Sequence, residues 1–349
     1  MIEAKKFQLK LKELGIKKSF GIPDSTMKEF IHALENPTIN ANEGSSIAAA
    51  CGHHLATKEI PLVFLQNSGL GNAVNPLASL ALVYNIPMLL MIGWRGEGNN
   101  DEPQHEVMGA ATAKILEALG IDCDVLSISQ EKAELQILNA LEKMQTKNKP
   151  FAFLVRQKTF KGESAQKTKN DLPLRADILK ELLLSVDSSA KFFATTGYTG
   201  RELYTLAKEQ GKLNQIFLGT GSMGHISQVA LNYAKHMPDK TIYCLDGDGS
   251  LAMHLGNTLD LFKDRPKNLK YIVFNNHAHL SVNHLETVWA NQSITKLLNS
   301  FGVAPAENLT SLHNDKKFSF IELECNLDTL KDLPRPEESH FELKKLFEE

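Results

Sequence analysis

At 349 residues the chain is long for one domain and comfortable for two. Hydrophobic residues make up 42% and charged residues 23%, the balance of a soluble globular protein with a well-buried core. A net charge of -3 with no cluster of Lys and Arg leaves no basic footprint for nucleic acid, and the acidic surplus is too small for a solvating tail.

Residues 1–10 alternate lysine with apolar residues and lack a long apolar run before a small-residue cleavage site, so no signal peptide is expected. A helix is predicted over 7–14, a short strand over 19–22, a helix near 26–34 and a strand over 38–41. Small residues dominate 45–56, which predicts a close-packed helix. A strand at 61–65, a glycine-rich loop at 67–72, a helix at 76–82 and an apolar strand at 87–92 follow. The apolar run 77–94 is broken by Asn85 and Pro87 and falls short of a membrane span of roughly 20 apolar residues. Further units end in the strand 151–155.

Between residues 157 and 171 the chain turns polar, with Lys158, Lys161, Lys167 and Lys169. That composition predicts an N-terminal domain 1–157, an exposed linker 158–174 and a C-terminal domain 175–349. The second half opens with a helix at 175–184 and carries strands at 191–195, 215–218, 241–245, 271–274 and 319–323, with helical patterns between. The alternation predicts an α/β fold of two doubly wound, mostly parallel-sheet domains. Ligands in such sheets bind beyond the carboxyl ends of the strands, where nearly every glycine-rich and polar segment of this chain lies. Cys51, Cys123, Cys244 and Cys325 are scattered with no C-x-x-C, so each reads as a small buried hydrophobe in a reducing, cytoplasmic setting.

Two motifs compete for the second half. Gly219-Thr220-Gly221-Ser222-Met223-Gly224 is a formal G-x-G-x-x-G after a strand and before a helix at about 226–235, and Asp246 ends the next strand where an acid would meet a ribose. That pattern alone allows an NAD-dependent oxidoreductase. Asp246-Gly247-Asp248-Gly249-Ser250, however, interleaves two acids with glycines. Glycines let backbone N–H groups approach an anion, while Asp248 offers a hard oxygen to a divalent cation. From Gly247 to Asn276 is a span of 30 residues, room for one helix, a turn at Arg265-Pro266 and a strand. A right-handed crossover of that size brings Asn275-Asn276 beside the aspartate, where Asp, Asn, a backbone carbonyl, water and two phosphate oxygens complete an octahedron around Mg²⁺.

This GDG-to-NN pattern resembles the thiamin-diphosphate enzyme motif. The resemblance implies domains of the thiamin-diphosphate-binding type, with Asp248, Asn276 and the Ala278 carbonyl as metal ligands. It also implies that Thr196, Gly197, Gly221, Ser222, Met223, Gly247, Asp248, Gly249, Ser250 and Asn276 bind the cofactor. Glu43, in Asn42-Glu43-Gly44 at a strand-to-helix junction, is placed to be the carboxylate on the aminopyrimidine; the bland alternative is a helix N-terminal acid. Met223 would prop the cofactor into its bent shape, or else pack in the core. In such enzymes Glu43 and the diphosphate site belong to different subunits, which implies at least a homodimer.

A narrower likeness rests on Gly21-Ile22-Pro23-Asp24-Ser25, Ala41-Asn42-Glu43-Gly44, Gln66-Asn67-Ser68-Gly69-Leu70-Gly71-Asn72 with Asn75-Pro76, Gly93-Trp94-Arg95-Gly96-Glu97 and Asp101-Glu102-Pro103-Gln104-His105. Thr195-Thr196-Gly197, Arg201-Glu202-Leu203 and Lys331-Asp332-Leu333-Pro334-Arg335-Pro336 extend it. Together they resemble the phosphonopyruvate decarboxylase family, which implies loss of CO₂ from a small anionic 2-oxo acid through a thiamin ylide and enamine. Arg95 is then the expected anion contact, or a surface salt bridge, with Asn67, Ser68 and Asn72 as neutral substrate donors. His105, expected in a polar loop, is a candidate to protonate the enamine or bind substrate, or is incidental. His53 and His54 read as packing or capping residues. The run His277-Ala278-His279-Leu280-Ser281-Val282-Asn283-His284-Leu285-Glu286-Thr287 departs from the family's glycine-rich pattern, so sulfopyruvate or another anionic 2-oxo acid stays open as substrate. A non-catalytic binder of the cofactor is the third alternative.

Overall fold

The computed structural model describes residues 1–98, 101, 103–163, 171–280, 285–331 and 333–349. Linker residues 164–170, Glu102, Asp332 and residues 281–284 of the divergent run lie outside the described residues. The chain divides into two compact units, Met1–Gln166 with His279–Leu285, and Lys167–Ala278 with Glu286–Glu349.

The first unit is built on a six-stranded sheet. Its strands are β1 (Ser19–Gly21), β2 (Thr38–Ile39), β3 (Leu62–Gln66), β4 (Leu89–Gly93), β5 (Asp122–Val125) and β6 (Phe151–Val155), in the spatial order β2-β1-β3-β4-β6-β5. All neighbours are parallel. The central strands read Leu-Val-Phe-Leu-Gln, Leu-Leu-Met-Ile-Gly and Phe-Ala-Phe-Leu-Val because both faces of a parallel sheet are covered. Successive side chains go to opposite faces: Leu62, Phe64, Met91 and Phe153 join one apolar cluster, Val63, Leu65, Leu90 and Leu154 the other. Truncating a fully buried ring such as Phe153 to alanine would cost about 3–5 kcal/mol.

The second unit repeats the plan with β7 (Lys191–Ala194), β8 (Ile216–Leu218), β9 (Ile242–Gly247), β10 (Leu269–Asn275) and β11 (Ser319–Glu324), in the order β8-β7-β9-β10-β11, all parallel. Again the faces alternate, with Tyr243, Leu245, Ile272 and Phe274 on one side and Ile242, Cys244, Tyr271 and Val273 on the other. Because every strand runs the same way, the segments after Ala194, Leu218, Gly247 and Asn275 emerge along one sheet edge.

Four local expectations change. The start of the segment 158–174 is not an exposed linker: Thr159 and Phe160 are buried, and Phe160–Lys161 pairs in parallel with Ile2–Glu3, because the Phe160 ring packs against Phe7 and Phe30. Residues 67–72 are not a loop: a 3₁₀ turn Asn67–Gly69 leads into the helix Leu70–Pro76 and a π-helical segment Leu77–Ala81. Leu70, Ala73, Leu77 and Ala81 are each 0% exposed, a helical stripe whose burial outweighs the loop preference of the glycines and asparagines. His105 lies in the first turn of the helix Pro103–Ala118 rather than in a polar loop; Pro103 pre-sets the opening φ of that helix. The crossover from Gly247 to Asn276 holds two helices, Asp248–Met253 and Asn257–Asp264, rather than one. Of the four cysteines only Cys123 is not fully buried. Among the described residues no helix is long and apolar enough to cross a membrane.

Candidate active site

In the first unit, Glu43 opens the helix Glu43–Thr57. Asn42 caps that helix by accepting from the Ser45 N–H at 2.8 Å, which fixes the direction in which Glu43 leaves the backbone. Glu43 is buried, 4% exposed, and its Oε2 accepts from Asn72 Nδ2 at 2.8 Å. Gly69 presses on the same carboxylate: a Cβ there would fall 1.9 Å from Glu43 Oε1. The glutamate is therefore held by the helix carrying Asn72, not by its own helix terminus alone.

Asn67 is fully buried, and its amide is spent on Arg95. Its Nδ2 donates to the Arg95 carbonyl at 2.8 Å and to Thr112 Oγ1 at 3.1 Å, while its Oδ1 accepts from the Arg95 N–H at 3.1 Å. Arg95 follows β4 and is itself mostly buried. Its Nε donates to Asp101 Oδ2 at 2.6 Å and its Nη2 to Asp101 Oδ1, a bidentate pair that also takes the Gly96 N–H at 3.1 Å. Trp94 Nε1 donates to the Gly109 carbonyl at 2.9 Å, so the turn 93–96 is stapled to the helix bearing His105, which is 6% exposed. Gly96 has φ +76°, and a Cβ there would meet the His105 carbonyl at 1.9 Å. Ser68 is exposed and donates to Gln66 Oε1 at 2.7 Å. His54 Nδ1 meets the Glu59 carbonyl at 2.8 Å, and the His53 ring packs against Phe20.

Asp24, quoted in the sequence motif without a role, is the acid that sequence reasoning passed over. It is 0% exposed just beyond β1, and Gln66 Nε2 and the Thr26 N–H donate to its Oδ1 at 2.7 and 3.1 Å. Burial pushes its pKa up against those hydrogen bonds and the field of Arg95. Among the described residues its Oδ2 has no hydrogen-bond partner, and Gly93 leaves it space that a Cβ would occupy at 1.6 Å.

In the second unit, β9 and β10 are in register at Gly247 and Phe274, so Asp248 and Asn276 leave neighbouring strand ends. Asn275 turns inward: its Nδ2 donates to Glu322 Oε1 at 2.7 Å and its Oδ1 accepts from the His277 N–H at 3.0 Å. Asn276 is left half-buried, its Oδ1 accepting from the Ala278 N–H at 3.1 Å around His277 at φ +58°. Asp248 is 6% exposed; Thr287 Oγ1 donates to its Oδ2 at 2.9 Å and Trp289 Nε1 to its carbonyl at 2.8 Å. Neither Thr287 nor Trp289 was legible as a site residue. Burial pushes the Asp248 pKa up to about 6, outweighing the Thr287 and Gly249 hydrogen bonds and the field of His277.

The other predicted contacts lie along the same edge. Thr195 Oγ1 and Ser250 Oγ are 2.8 Å apart, and the Gly224 N–H donates to Ser250 Oγ at 2.9 Å. Thr196 and Gly197 (φ +89°) precede the helix Tyr198–Glu209. Gly221 and Ser222 are exposed, whereas Met223 is half-buried and belongs to neither apolar cluster of this unit. Asp246, the acid a dinucleotide would need, is 1% exposed and satisfied by the Gly247 N–H and the Tyr271 hydroxyl, both at 3.0 Å. At that burial its carboxylate is not open to a ribose.

Among the described residues no group of three or more His, Cys, Asp or Glu gathers to hold a metal. The donor set here is one carboxylate, one amide oxygen and a backbone carbonyl, which suits Mg²⁺ completed by phosphate oxygens and water. The carboxylate buried without a full cationic partner is what such an ion would stabilise. On that chemistry the residues fit the metal and a diphosphate.

The chain was also compared with known families. Residues 5–115 match the thiamine pyrophosphate enzyme N-terminal TPP binding domain and residues 196–315 the corresponding C-terminal TPP binding domain. The chain belongs to the thiamine pyrophosphate enzymes, and it is a carboxy-lyase. Among its relatives, phosphonopyruvate decarboxylase of Streptomyces viridochromogenes is 28% identical over 335 residues, covering 89% of this chain and 83% of that protein. Sulfopyruvate decarboxylase subunit alpha of Methanothermobacter thermautotrophicus is 36% identical over 119 residues, 32% of this chain and 70% of that one. Among solved structures, benzoylformate decarboxylase of Polynucleobacter necessarius is 12% identical with a TM-score of 0.41, covering 95% of this chain and 100% of that chain.

Proposed function

We propose that this chain decarboxylates phosphonopyruvate to phosphonoacetaldehyde and CO₂, using thiamin diphosphate and Mg²⁺, as a step in phosphonate biosynthesis. The observation that carries the reading is buried Asp248 beside Asn276 on neighbouring parallel strand ends. Asp248, Asn276 and the Ala278 carbonyl would hold Mg²⁺. Thr196, Gly197, Gly221, Ser222, Gly247, Gly249 and Ser250 supply N–H and hydroxyl donors for the diphosphate, and Met223 supplies an apolar support. When bound, the cofactor supplies the electron sink for loss of CO₂ from a 2-oxo acid.

The remaining work falls to the chain's own side chains. Glu43 holds a proton at the aminopyrimidine end of the site, with Asn72 and Gly69 fixing its carboxylate. Arg95 and Ser68 receive the anionic end of the substrate. Arg95 can do so because Asn67 clamps its backbone and Asp101 sets its guanidinium plane. His105, buried beside that turn, is the candidate donor of the product's proton. Each site takes Glu43 from one copy of the chain and Asp248 from another, so the working form is at least a homodimer, and we place it in the cytoplasm.

Sulfopyruvate is the second reading, favoured by the similarity of 32% of this chain to a sulfopyruvate decarboxylase subunit. Phosphonate and sulfonate are both compact tetrahedral anions, and a guanidinium binds either. The test is release of CO₂ from phosphonopyruvate, sulfopyruvate and pyruvate, each with and without thiamin diphosphate and Mg²⁺. Release from phosphonopyruvate that requires both additions is expected. Preference for sulfopyruvate would move the substrate, and cofactor binding without any turnover would mark a binding protein. Saturable NADH binding without thiamin diphosphate binding would overturn the reading.

A further inference from the structure

The loop 219–225 between β8 and the helix Ile226–His236 is held from one side by three residues of the Asp248 segment. Ser250 Oγ accepts from the Gly224 N–H at 2.9 Å, His254 Nδ1 lies 2.9 Å from the Met223 carbonyl, and Asn257 Nδ2 donates to the Gly224 carbonyl at 2.7 Å. The approach is close: Gly224 has φ +83°, and a Cβ there would fall 2.7 Å from the Ser250 carbonyl and 2.8 Å from His254 Nδ1. Ser250 lies in the short helix that begins at Asp248, and His254 directly follows it.

These contacts determine the tautomers. A carbonyl oxygen only accepts, so the His254 proton is on Nδ1. Asn257 Nδ2 also lies 3.2 Å from His225 Nδ1, which makes that nitrogen the acceptor and puts the His225 proton on Nε2. The two imidazoles lie against each other with centroids 4.0 Å apart, so the His225 ring covers the ring that makes the Met223 bond. Screening of that kind strengthens a hydrogen bond relative to one open to water.

We propose that His254 is a positioning residue: its Nδ1–H holds the Met223 carbonyl and thereby ties the loop that supports the cofactor to the segment that begins at the metal ligand Asp248. This rests on the assignment of Met223 and Asp248 to the thiamin diphosphate site. It assigns His254 no contact with cofactor or substrate. The consequence is that metal and loop are set by one piece of backbone, so a disturbance at His254 loosens the cofactor without removing any group that touches it.

The test is calorimetric titration of thiamin diphosphate into the metal-saturated protein. His254→Phe keeps a ring and loses the donor, and should raise the Kd about tenfold, the effect of losing one useful hydrogen bond. His254→Asn places an N–H where Nδ1 sits and should return the Kd to within about threefold of wild type. A folded His254→Phe protein that binds as tightly as wild type overturns the proposal. If that variant does not fold, ¹⁵N spectra of histidine-labelled wild type decide: an Nδ1–H tautomer at His254 supports it, and an Nε2–H tautomer overturns it. Failure of the wild type to bind thiamin diphosphate at all would instead sink the cofactor assignment on which this one stands.

Discussion

Replacing Asp248 by asparagine tests the buried carboxyl at the centre of the proposed metal site. Without metal, burial moves its pKa from 3.8 up to about 6. At about 1.4 kcal/mol per pKa unit, that gap is worth about 3 kcal/mol. The folded state binds this proton more tightly than the unfolded chain does, so stability falls as pH rises between the two values. The contribution is fully present below about pH 4 and lost above about pH 6. Asparagine has no charge to bury, and its side-chain oxygen can still accept from Thr287 Oγ1. Urea denaturation of the metal-free proteins should therefore give similar stabilities near pH 4. At about pH 7 the variant should be the more stable by about 3 kcal/mol. Adding Mg²⁺ and thiamin diphosphate should reverse that order, because only the carboxylate gains strongly from the cation. A wild-type-to-variant difference that stays flat across this pH range would refute the reasoning.

Three further outcomes can be tested, two from the geometry and the last from the proposed site shared between copies. Asn67→Asp turns an N–H donor into an oxygen facing the Arg95 carbonyl, and should cost about 2–4 kcal/mol of stability in the same denaturation assay; a loss below about 0.5 kcal/mol would contradict the clamp. Glu43→Gln keeps an oxygen for Asn72 Nδ2, so circular dichroism should be unchanged while CO₂ release falls at least about 100-fold. Mixing Glu43→Gln with Asp248→Asn subunits should restore up to about a quarter of wild-type turnover, since random dimers then contain one intact site in some copies. No recovery after verified subunit exchange would mean that each chain completes its own site.

Much of the fold is readable from local pattern. The continuous apolar runs at 62–66, 89–93 and 151–155 specify buried parallel strands, and the sequence expectation missed their ends by no more than two residues. The segment 67–72 was misread because glycine and asparagine suggest a loop, while the spacing of Leu70, Ala73, Leu77 and Ala81 carries the helix. His105 was misplaced for a related reason: its polar neighbours hide a helix start at Pro103.

Asp248 and Asn276 are legible as a pair because one strand–crossover–strand unit separates them, and chain geometry constrains such a unit tightly. The partners of the site residues are not legible in that way. Asn72 is 29 residues from Glu43, Asn67 is 28 from Arg95, and Thr287 is 39 from Asp248. Sequence alone determined the two α/β halves, and it singled out the oxygen donors proposed for a metal and the glycines proposed around an anion, since these depend on residue type and on period. Only the tertiary structure decided that Asn67 and Asn72 brace other residues, that Asp24 is a buried acid, and that His254 holds the Met223 carbonyl. Those roles depend on which side chains packing brings within about 3 Å, and no local pattern encodes that distance.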